Sequence, residues 1–481
     1  MRRIDALHAE ALYGSSATRQ LEHLAQSQLP AHTLMQRAGL ALARLALALT
    51  PHSQRIWLAC GPGNNGGDGF EAAMHLQAWG KSCVITSLGS LDTLPCDAAA
   101  SWVRAQAAGA TWLQEPPDNF DLCIDALLGV GSRPIDSNHR LADWIHHINC
   151  SQQLVLSVDL PSGLSADTGT CGPVCVRANH TLSLLTLKPG LFIAQGRDMA
   201  ATVWFDPLGL DLTSALFANT KPDAGLLGQH AHFTRLHASH KGSYGDVAII
   251  GGAPGMAGSA LLAATAALHS GAGRIFLGLL DSAAPAVDVL HPELMLRSPA
   301  ALLAANLCTV IGCGGADLLK EPLTQCLAQS AALVIDADGL NTLAGEPELK
   351  TMLNSRAQQG WCTVLTPHPL EAARLLGCST NHIQSDRLAC AHELAHQFNC
   401  TVVLKGSGTV VAQPGEVTRI NPTGNAKLAT AGTGDVLAGM IGARLALGLS
   451  ALEAACQAVY THGRLADAWP PTQHLSASQL V

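Results

Sequence analysis

A chain of 481 residues exceeds what one hydrophobic core ordinarily covers, roughly 250 to 300 residues, so two domains are expected. Hydrophobic residues at 48% against charged residues at 13% exclude a disordered chain, and a formal net charge of -8 without any Lys/Arg-rich stretch excludes a nucleic-acid-binding surface. The fifteen cysteines stand singly, and the pair Cys171 and Cys175 lacks the second pair that a zinc site needs, so reduced thiols are expected. The basic start Met1, Arg2, Arg3 is interrupted by Asp5, His8 and Glu10 before any apolar core develops, which points to a cytoplasmic location. The apolar stretch 39–49 carries Arg44 and falls short of the roughly 20 residues that cross a bilayer; it reads as an amphipathic helix.

In chain order, apolar periodicity gives a strand at 55–60, a helix at 69–79 closed by Gly80, and strands at 83–88 and 120–124. A helix at 141–148 and strands at 154–158 and 201–205 continue the alternation, which predicts a doubly wound, largely parallel sheet. The pattern lapses around Lys221, Pro222 and Asp223, placing the boundary near 220, with one domain over 1–218 and the next over 225–481. It restarts with strands at 247–250, 274–279, 309–312, 333–335, 363–365, 401–404 and 410–412 and helices at 259–269, 435–447 and 451–466. The second domain is therefore also α/β, and neither half shows a fixed-period repeat.

Two glycine-rich constellations sit at strand ends. Gly61, Gly63 and Gly66 make a GxGxxG match between a strand and a helix, where backbone amides can meet a phosphate. The acidic residue that an ordinary dinucleotide fold carries about 20 positions on is missing, which argues against a dehydrogenase. Asn65, Asp125 and Ser162 offer oxygen ligands to a hard cation, with Asp159 free for proton transfer; equally, Asp125 and Asp159 read as turn or helix caps. Further on, Ala431, Gly432, Thr433 and Gly434 lead straight into a helix at Asp435, which places an aspartate beside an anion hole suited to phosphoryl transfer, though an aspartate there can also be a cap. Lys405, Gly406, Ser407, Gly408 and Thr409 offer a cation, amides and a hydroxyl to a nucleotide phosphate, and the prolines flanking His368 fix a loop at another strand end. No Walker A pattern occurs.

With Leu34-Met35-Gln36-Arg37-Ala38-Gly39 upstream, the NNGGDG, DALLGVG and VDLPSG segments resemble the NAD(P)H-hydrate epimerases. That resemblance implies a Rossmann-like domain interconverting the R and S forms of hydrated NADH and NADPH, with potassium held by Asn65, Asp125 and Ser162. The damaged dinucleotide would then meet Asn64, Asn65, Gly66, Gly67 and Asp68, the run Gly129, Val130, Gly131, Ser132, Arg133, Pro134, Ile135, and Asp159 as the proton-transfer group. The HKGSYG stretch from His240, VIDADGLN from Val334, TPHP, KGSGT and GTGD together resemble the ADP-dependent NAD(P)H-hydrate dehydratases of the ribokinase-like superfamily. Here the resemblance implies nucleotide contacts at Lys405, Gly406, Ser407, Gly408, Thr409 and Gly434, and substrate contacts at Ser259, Gly314, His368 and the catalytic Asp435. Leu370 and Ala431 stand where many members of that family have glycine.

The fusion of two such domains is similar to bifunctional NAD(P)H-hydrate repair enzymes. It implies epimerisation followed by dehydration of the S form at the expense of ADP, giving AMP and phosphate, with magnesium as a further cofactor and a homo-oligomeric state. The other reading is a ribokinase-like vitamin or sugar kinase carrying a non-catalytic ligand-binding module.

Overall fold

The computed structural model describes residues 1–130, 140–231 and 234–481. The chain forms two compact units, one of Met1–Asp5 with Glu10–Gly225, the other of Ala6–Ala9 with Leu226–Val481.

In the first unit, helices α1 (Ser15–Gln26) and α2 (Thr33–Leu49) precede the alternating elements β1 (Arg55–Cys60), α3 (Asn64–Ala78), β2 (Ser82–Ser87) and α4 (Cys96–Ala107). They continue with β3 (Thr111–Leu113), β4 (Leu122–Ala126), α5 (Arg140–Cys150), β5 (Leu154–Val158), β6 (His180–Leu184) and β7 (Thr202–Asp206). The strands lie in the order β3-β2-β1-β4-β5-β6-β7, all parallel, with the short strand Arg2–Arg3 antiparallel at the β7 edge. The parallel strands are laid down outward on either side of β1 and β4, which leaves a crevice at their carboxyl ends. The centre of this sheet is apolar on both faces: Ile56, Leu58, Ile124 and Leu156 belong to one core, Trp57, Ala59, Cys123 and Val155 to the other.

Helix α3 begins at Asn64, five residues earlier than the sequence pattern suggests. The glycine cluster therefore forms the first turns of the helix. Close packing is the reason: a Cβ on Gly61 would lie 1.7 Å from the Leu127 carbonyl oxygen, and one on Gly66 2.1 Å from that of Gly61. The strand-to-helix turn is thereby pulled against the end of β4.

The second unit contains β8 (Asp246–Gly251), α6 (Ala257–His269), β9 (Arg274–Leu279), β10 (Cys308–Ile311), β11 (Ala332–Ile335), α7 (Ala337–Gly345), β12 (Cys362–Leu365) and α8 (Pro369–Leu376). Then come α9 (Arg387–Phe398), β13 (Thr401–Leu404), β14 (Val410–Ala412), β15 (Arg419–Ile420), α10 (Thr433–Ala446) and α11 (Ala451–Ala468). The sheet order is β9-β8-β10-β11-β12-β13-β14-β15, parallel through β13 and antiparallel thereafter. Helices α6 and α10 carry almost continuous small apolar residues because they are buried against the sheet, with Gly439 allowing α10 to approach Ala263 of α6 closely, and α11 is buried along one face. All fifteen cysteines are free. Among the described residues, no helix is long and apolar enough to cross a membrane.

Two candidate active sites at the carboxyl edges of the sheets

The first site is a cleft of about 460 Å³ over the β1/β4 crevice, walled by α1, α2 and the turns after β1, β4, β5 and β6. Its floor brings together Asn64, Asn65 and Asp68 from the first turns of α3, Gly129 and Val130 after β4, and Asp159 after β5. Gly66 and Gly67 are buried backbone positions of α3, and Gly67 packs on Met35 of α2. Gly131, Ser132, Arg133, Pro134 and Ile135 lie outside the described residues.

Asp159 adopts φ 65°, the left-handed region, at the turn where β5 ends. Its carboxylate is ion-paired with Lys188 and also accepts the Leu184 amide at 3.1 Å. Lys188 is fully buried and donates further to the carbonyls of Leu184 and Thr186 at 2.8 and 2.9 Å. A buried ammonium needs such a complete set of acceptors, and this one takes them from the β6 turn. Three other carboxyls line the cleft, Asp97, Asp68 and Glu22: burial pushes Asp68 well above the usual range, reinforced by Asp159 and Glu22, and burial likewise raises Glu22. The geometry thus separates one lysine-paired carboxylate from two whose pKa burial raises.

Asp125, on β4, is completely buried and accepts from Ser157 Oγ at 2.8 Å, Ser162 Oγ at 2.6 Å and the Ser162 amide at 2.9 Å. Burial still raises its pKa against these hydrogen bonds, and no cationic side chain among the described residues pairs with it. Ser162 Oγ also lies 3.4 Å from the Leu128 carbonyl oxygen. A Cβ on Gly129 would stand 3.1 Å from Asn65 Oδ1, and the Asn65 amide nitrogen is buried without a hydrogen-bond partner. Hard oxygen donors and a buried carboxylate that no cationic side chain among the described residues compensates suit a monovalent cation at this place.

The second site collects the ends of β8 and β10 to β13. Lys405, following β13, bonds Asp336 at 2.6 Å, and Asp336, almost fully buried after β11, also accepts from Thr366 Oγ1 at 2.7 Å. Burial pulls the Lys405 ammonium down, but Asp336 and Glu371 outweigh it and hold it above the ordinary lysine value. Asp435, in the first turn of α10, is not paired with that lysine. Burial, then the negative charge of Asp336, lifts it to about 6, while hydrogen bonds from Cys313 and Ser259 oppose the rise. Gly314, at φ 62°, lies against Ser259, which itself hydrogen-bonds Asp435. Gly434 sits over the ion pair: a Cβ there would be 3.2 Å from Lys405 Nζ.

The turn Gly406, Ser407, Gly408, Thr409 joins β13 to β14, and Thr409 Oγ1 donates to the Gly406 carbonyl at 3.0 Å. Arg387, the first residue of α9, is buried and donates to the carbonyls of Leu404 and Lys405, each at 3.1 Å, so this turn is held from beneath. His368 caps α8: its Nδ1 accepts the Leu370 amide at 3.1 Å, and Nε2 stands 3.3 Å from Glu371 Oε1. Both ring nitrogens thus face the histidine's own helix, because TPHP places His368 at the helix N-cap. Burial raises Glu371 itself to about 7.

Sequence reasoning passed over Lys188, Asp336, Glu371 and Cys313. A lysine in an apolar TLKPG stretch and an aspartate closing VID were the available signals. The sulfur of Cys313 and carboxylate oxygens of Asp336 and Asp435 lie within 4.8 Å of one another, the one three-residue cluster of possible metal ligands among the described residues. A hard cation entering with a nucleotide would take the carboxylates in preference to the thiol.

Fold and sites together define a two-domain α/β enzyme, a Rossmann-like doubly wound domain joined to a ribokinase-like domain. A family model described as YjeF-related protein N-terminus matches residues 31–190, and one described as NAD(P)H-hydrate dehydratase matches residues 247–480. The chain is 37% identical to the bifunctional NAD(P)H-hydrate repair enzyme Nnr of Escherichia coli (strain K12), over 91% of this chain and 85% of that one. It is 36% identical to the enzyme of the same name from Coxiella burnetii, over 95% and 94%. An ADP/ATP-dependent NAD(P)H-hydrate dehydratase from Bacillus subtilis, co-crystallised with ATP/Mg2+, is 30% identical and covers 51% of this chain and 90% of its own, with a TM-score of 0.44. The chain belongs to the family of bifunctional NAD(P)H-hydrate repair enzymes.

Proposed function

We propose that the first unit epimerises hydrated NADH and NADPH and that the second dehydrates the S form with ADP, the residues described above acting as follows. The observation that carries the dehydratase assignment is Asp435: a carboxylate at a helix N-terminus, unpaired, buried enough to titrate near 6, and beside a lysine neutralised by another residue. A base with that pKa is ionised at neutral pH yet accepts a proton readily.

Asp435 takes the proton from the hydroxyl that hydration added to the ring, as that oxygen attacks the terminal phosphate of ADP. The amides of Gly432 to Asp435 and the Lys405 ammonium face the developing charge. Phosphate is a far better leaving group than hydroxide, so its departure, driven by the ring nitrogen lone pair and followed by loss of a proton from the adjacent ring carbon, restores the dihydronicotinamide ring and leaves AMP and phosphate. Lys405, Gly406, Ser407, Gly408, Thr409 and Gly434 bind the nucleotide; Ser259, Gly314 and His368 line the substrate side. Magnesium, when bound with the nucleotide, supplies charge neutralisation at its phosphates, with Asp336 and Asp435 in reach.

In the first unit Asp159 carries the proton transfer, and Lys188 is the residue that holds and orients it. The dinucleotide lies over Asn64, Asn65, Gly66, Gly67 and Asp68. Potassium would be held by Asn65, Asp125 and Ser162, where it supplies the missing positive charge beneath the cleft. The domains are assigned as 1–218 and 225–481, and the protein is a homo-oligomer acting in the cytoplasm.

The test is to incubate the full chain with mixed R and S NADPH hydrate, magnesium and potassium, with ADP or ATP in parallel arms, following the near-ultraviolet absorbance of the restored ring. Recovery of both epimers with ADP, faster than spontaneous epimerisation permits, is expected. No recovery with either nucleotide would return the chain to the kinase reading.

A further inference from the structure

Helices α10 and α11 of the second unit also frame a cavity of about 280 Å³ away from the nucleotide loop. From α11 it takes Gln457, Tyr460, Thr461 and Arg464, spaced i, i+3, i+4 and i+7 on one helical face, and from the end of α10 it takes Arg444. Asp435 opens α10, so about 14 Å of helical rise separates it from Arg444. The segment Ala6–Ala9, part of this unit, closes one side of the cavity: the Tyr460 hydroxyl donates to the Ala6 carbonyl at 2.8 Å, and the Gln229 amide to the Leu7 carbonyl at 3.0 Å.

The charge in this cavity is of one sign. Two arginines line it and no acidic residue does. Among the described residues neither guanidinium makes a hydrogen bond or an ion pair, and burial pulls the half-buried Arg444 below the ordinary arginine value with no carboxylate set against it. Glu453, one turn before Gln457, is committed to its own helix start, where its carboxylate accepts the Ser450 amide at 3.2 Å and the Ser450 hydroxyl at 2.7 Å. His230 stands edge-on to the Tyr460 ring at 5.8 Å, and its Nε2 is buried without a hydrogen-bond partner. Burial, then the charge of Arg444, lowers this imidazole, so at neutral pH it offers a donor without adding a third positive charge. A half-buried guanidinium and a buried ring nitrogen, both without acceptors, are groups that call for an oxyanion.

We propose that this cavity is a binding site for a phosphate dianion, as inorganic phosphate or as the phosphate of a small monoester, separate from both active sites. Two guanidinium groups match the charge of the dianion and present the fork of N–H donors that phosphate oxygens accept. His230 Nε2, Gln457 and Thr461 supply neutral donors around them. A monocarboxylate would leave one guanidinium unmatched. The volume stands at the small end of ligand pockets, which run from roughly 300 to 1,000 Å³, and so suits a small monoester rather than a dinucleotide.

The test is calorimetry on the full-length protein loaded with one equivalent of ADP and magnesium, which occupies the loop 430–435 and Lys405, titrated in parallel with inorganic phosphate and with ribose 5-phosphate. Saturable binding is expected. Equal affinities identify phosphate itself as the ligand, and tighter binding of ribose 5-phosphate identifies a monoester. Arg444→Met should weaken the binding about tenfold or more, the loss of a charge-assisted hydrogen bond, and the exposed Arg464→Met and His230→Leu about threefold each. The variants, rather than the nucleotide, locate the site. No saturable binding of either probe by wild type would overturn the proposal, as would wild-type affinity in both arginine variants, which puts the phosphate elsewhere. If Arg444→Met fails to fold, Arg464→Met decides by the same criterion.

Discussion

Each of the two sites sets a lysine against an aspartate at the carboxyl edge of a parallel sheet, yet the pair stands in a different relation to the chemistry. In the first unit Asp159 is itself paired with the buried Lys188, while Asp68 and Glu22 around the cleft are pushed toward their neutral forms. In the second unit Lys405 is paired with Asp336, and the carboxylate assigned to catalysis, Asp435, is left unpaired with a pKa near 6. An ion pair lowers the proton affinity of the carboxylate inside it; a carboxylate beside a neutralised lysine keeps its affinity and gains more from burial. The first arrangement suits a proton relay between lysine and aspartate, the second a single strong base.

The sharpest way to break this comparison is Asp435→Asn. Dehydration is expected to fall by about 10² to 10⁴, the usual share of a general base, while ADP affinity changes by no more than a few-fold. Ring recovery and calorimetry together check it, and a retained rate would make Asp435 a cap after all. Lys188→Met is next: if Asp159 works only as part of the pair, epimer interconversion should fall by about 10², to a level shared with Asp159→Ala and measured against a no-enzyme control. Dehydration of pre-formed S hydrate should be unaffected in that variant.

The pH dependence separates the two carboxylates further. Dehydration should rise with pH through about 6 and drop nearly tenfold for each unit below, as Asp435 protonates. Its folded pKa lies above the unfolded value of about 3.9, so the stabilising contribution is complete below pH 4 and is lost as the pH climbs through 6. Asp435→Asn should therefore unfold at a higher temperature than wild type at pH 8, the difference vanishing near pH 4. The smallest effect expected is that of potassium. Exchanging it for a bulky organic cation should lower the epimerase rate several-fold and the thermal stability slightly, through the exposed deficit at Asp125, and Asp125→Asn should abolish the dependence. A potassium effect confined to the dehydration step would refute the assigned position.

Much of this was legible in the chain. Strand periodicity and breaker residues give two α/β domains because burial on both faces of a parallel sheet forces continuous apolar runs. The glycine-led helix starts give both loops, and Asp435 stands out because it follows Gly432-Thr433-Gly434 at a helix start, where an acid serves as base or as cap. What the sequence left open was decided by distance in space. Lys188 lies 29 positions from Asp159 and Lys405 69 from Asp336, separations at which no periodicity couples residues. That both ring nitrogens of His368 engage the start of its own helix α8 could be seen only once TPHP was placed at the helix N-cap. The sequence by itself determined which atoms could serve as base, cation and amide cradle, since composition and local turns fix those. Only the tertiary structure decided which carboxylate is paired and which is left to burial, because a pKa depends on neighbours that the fold alone assembles.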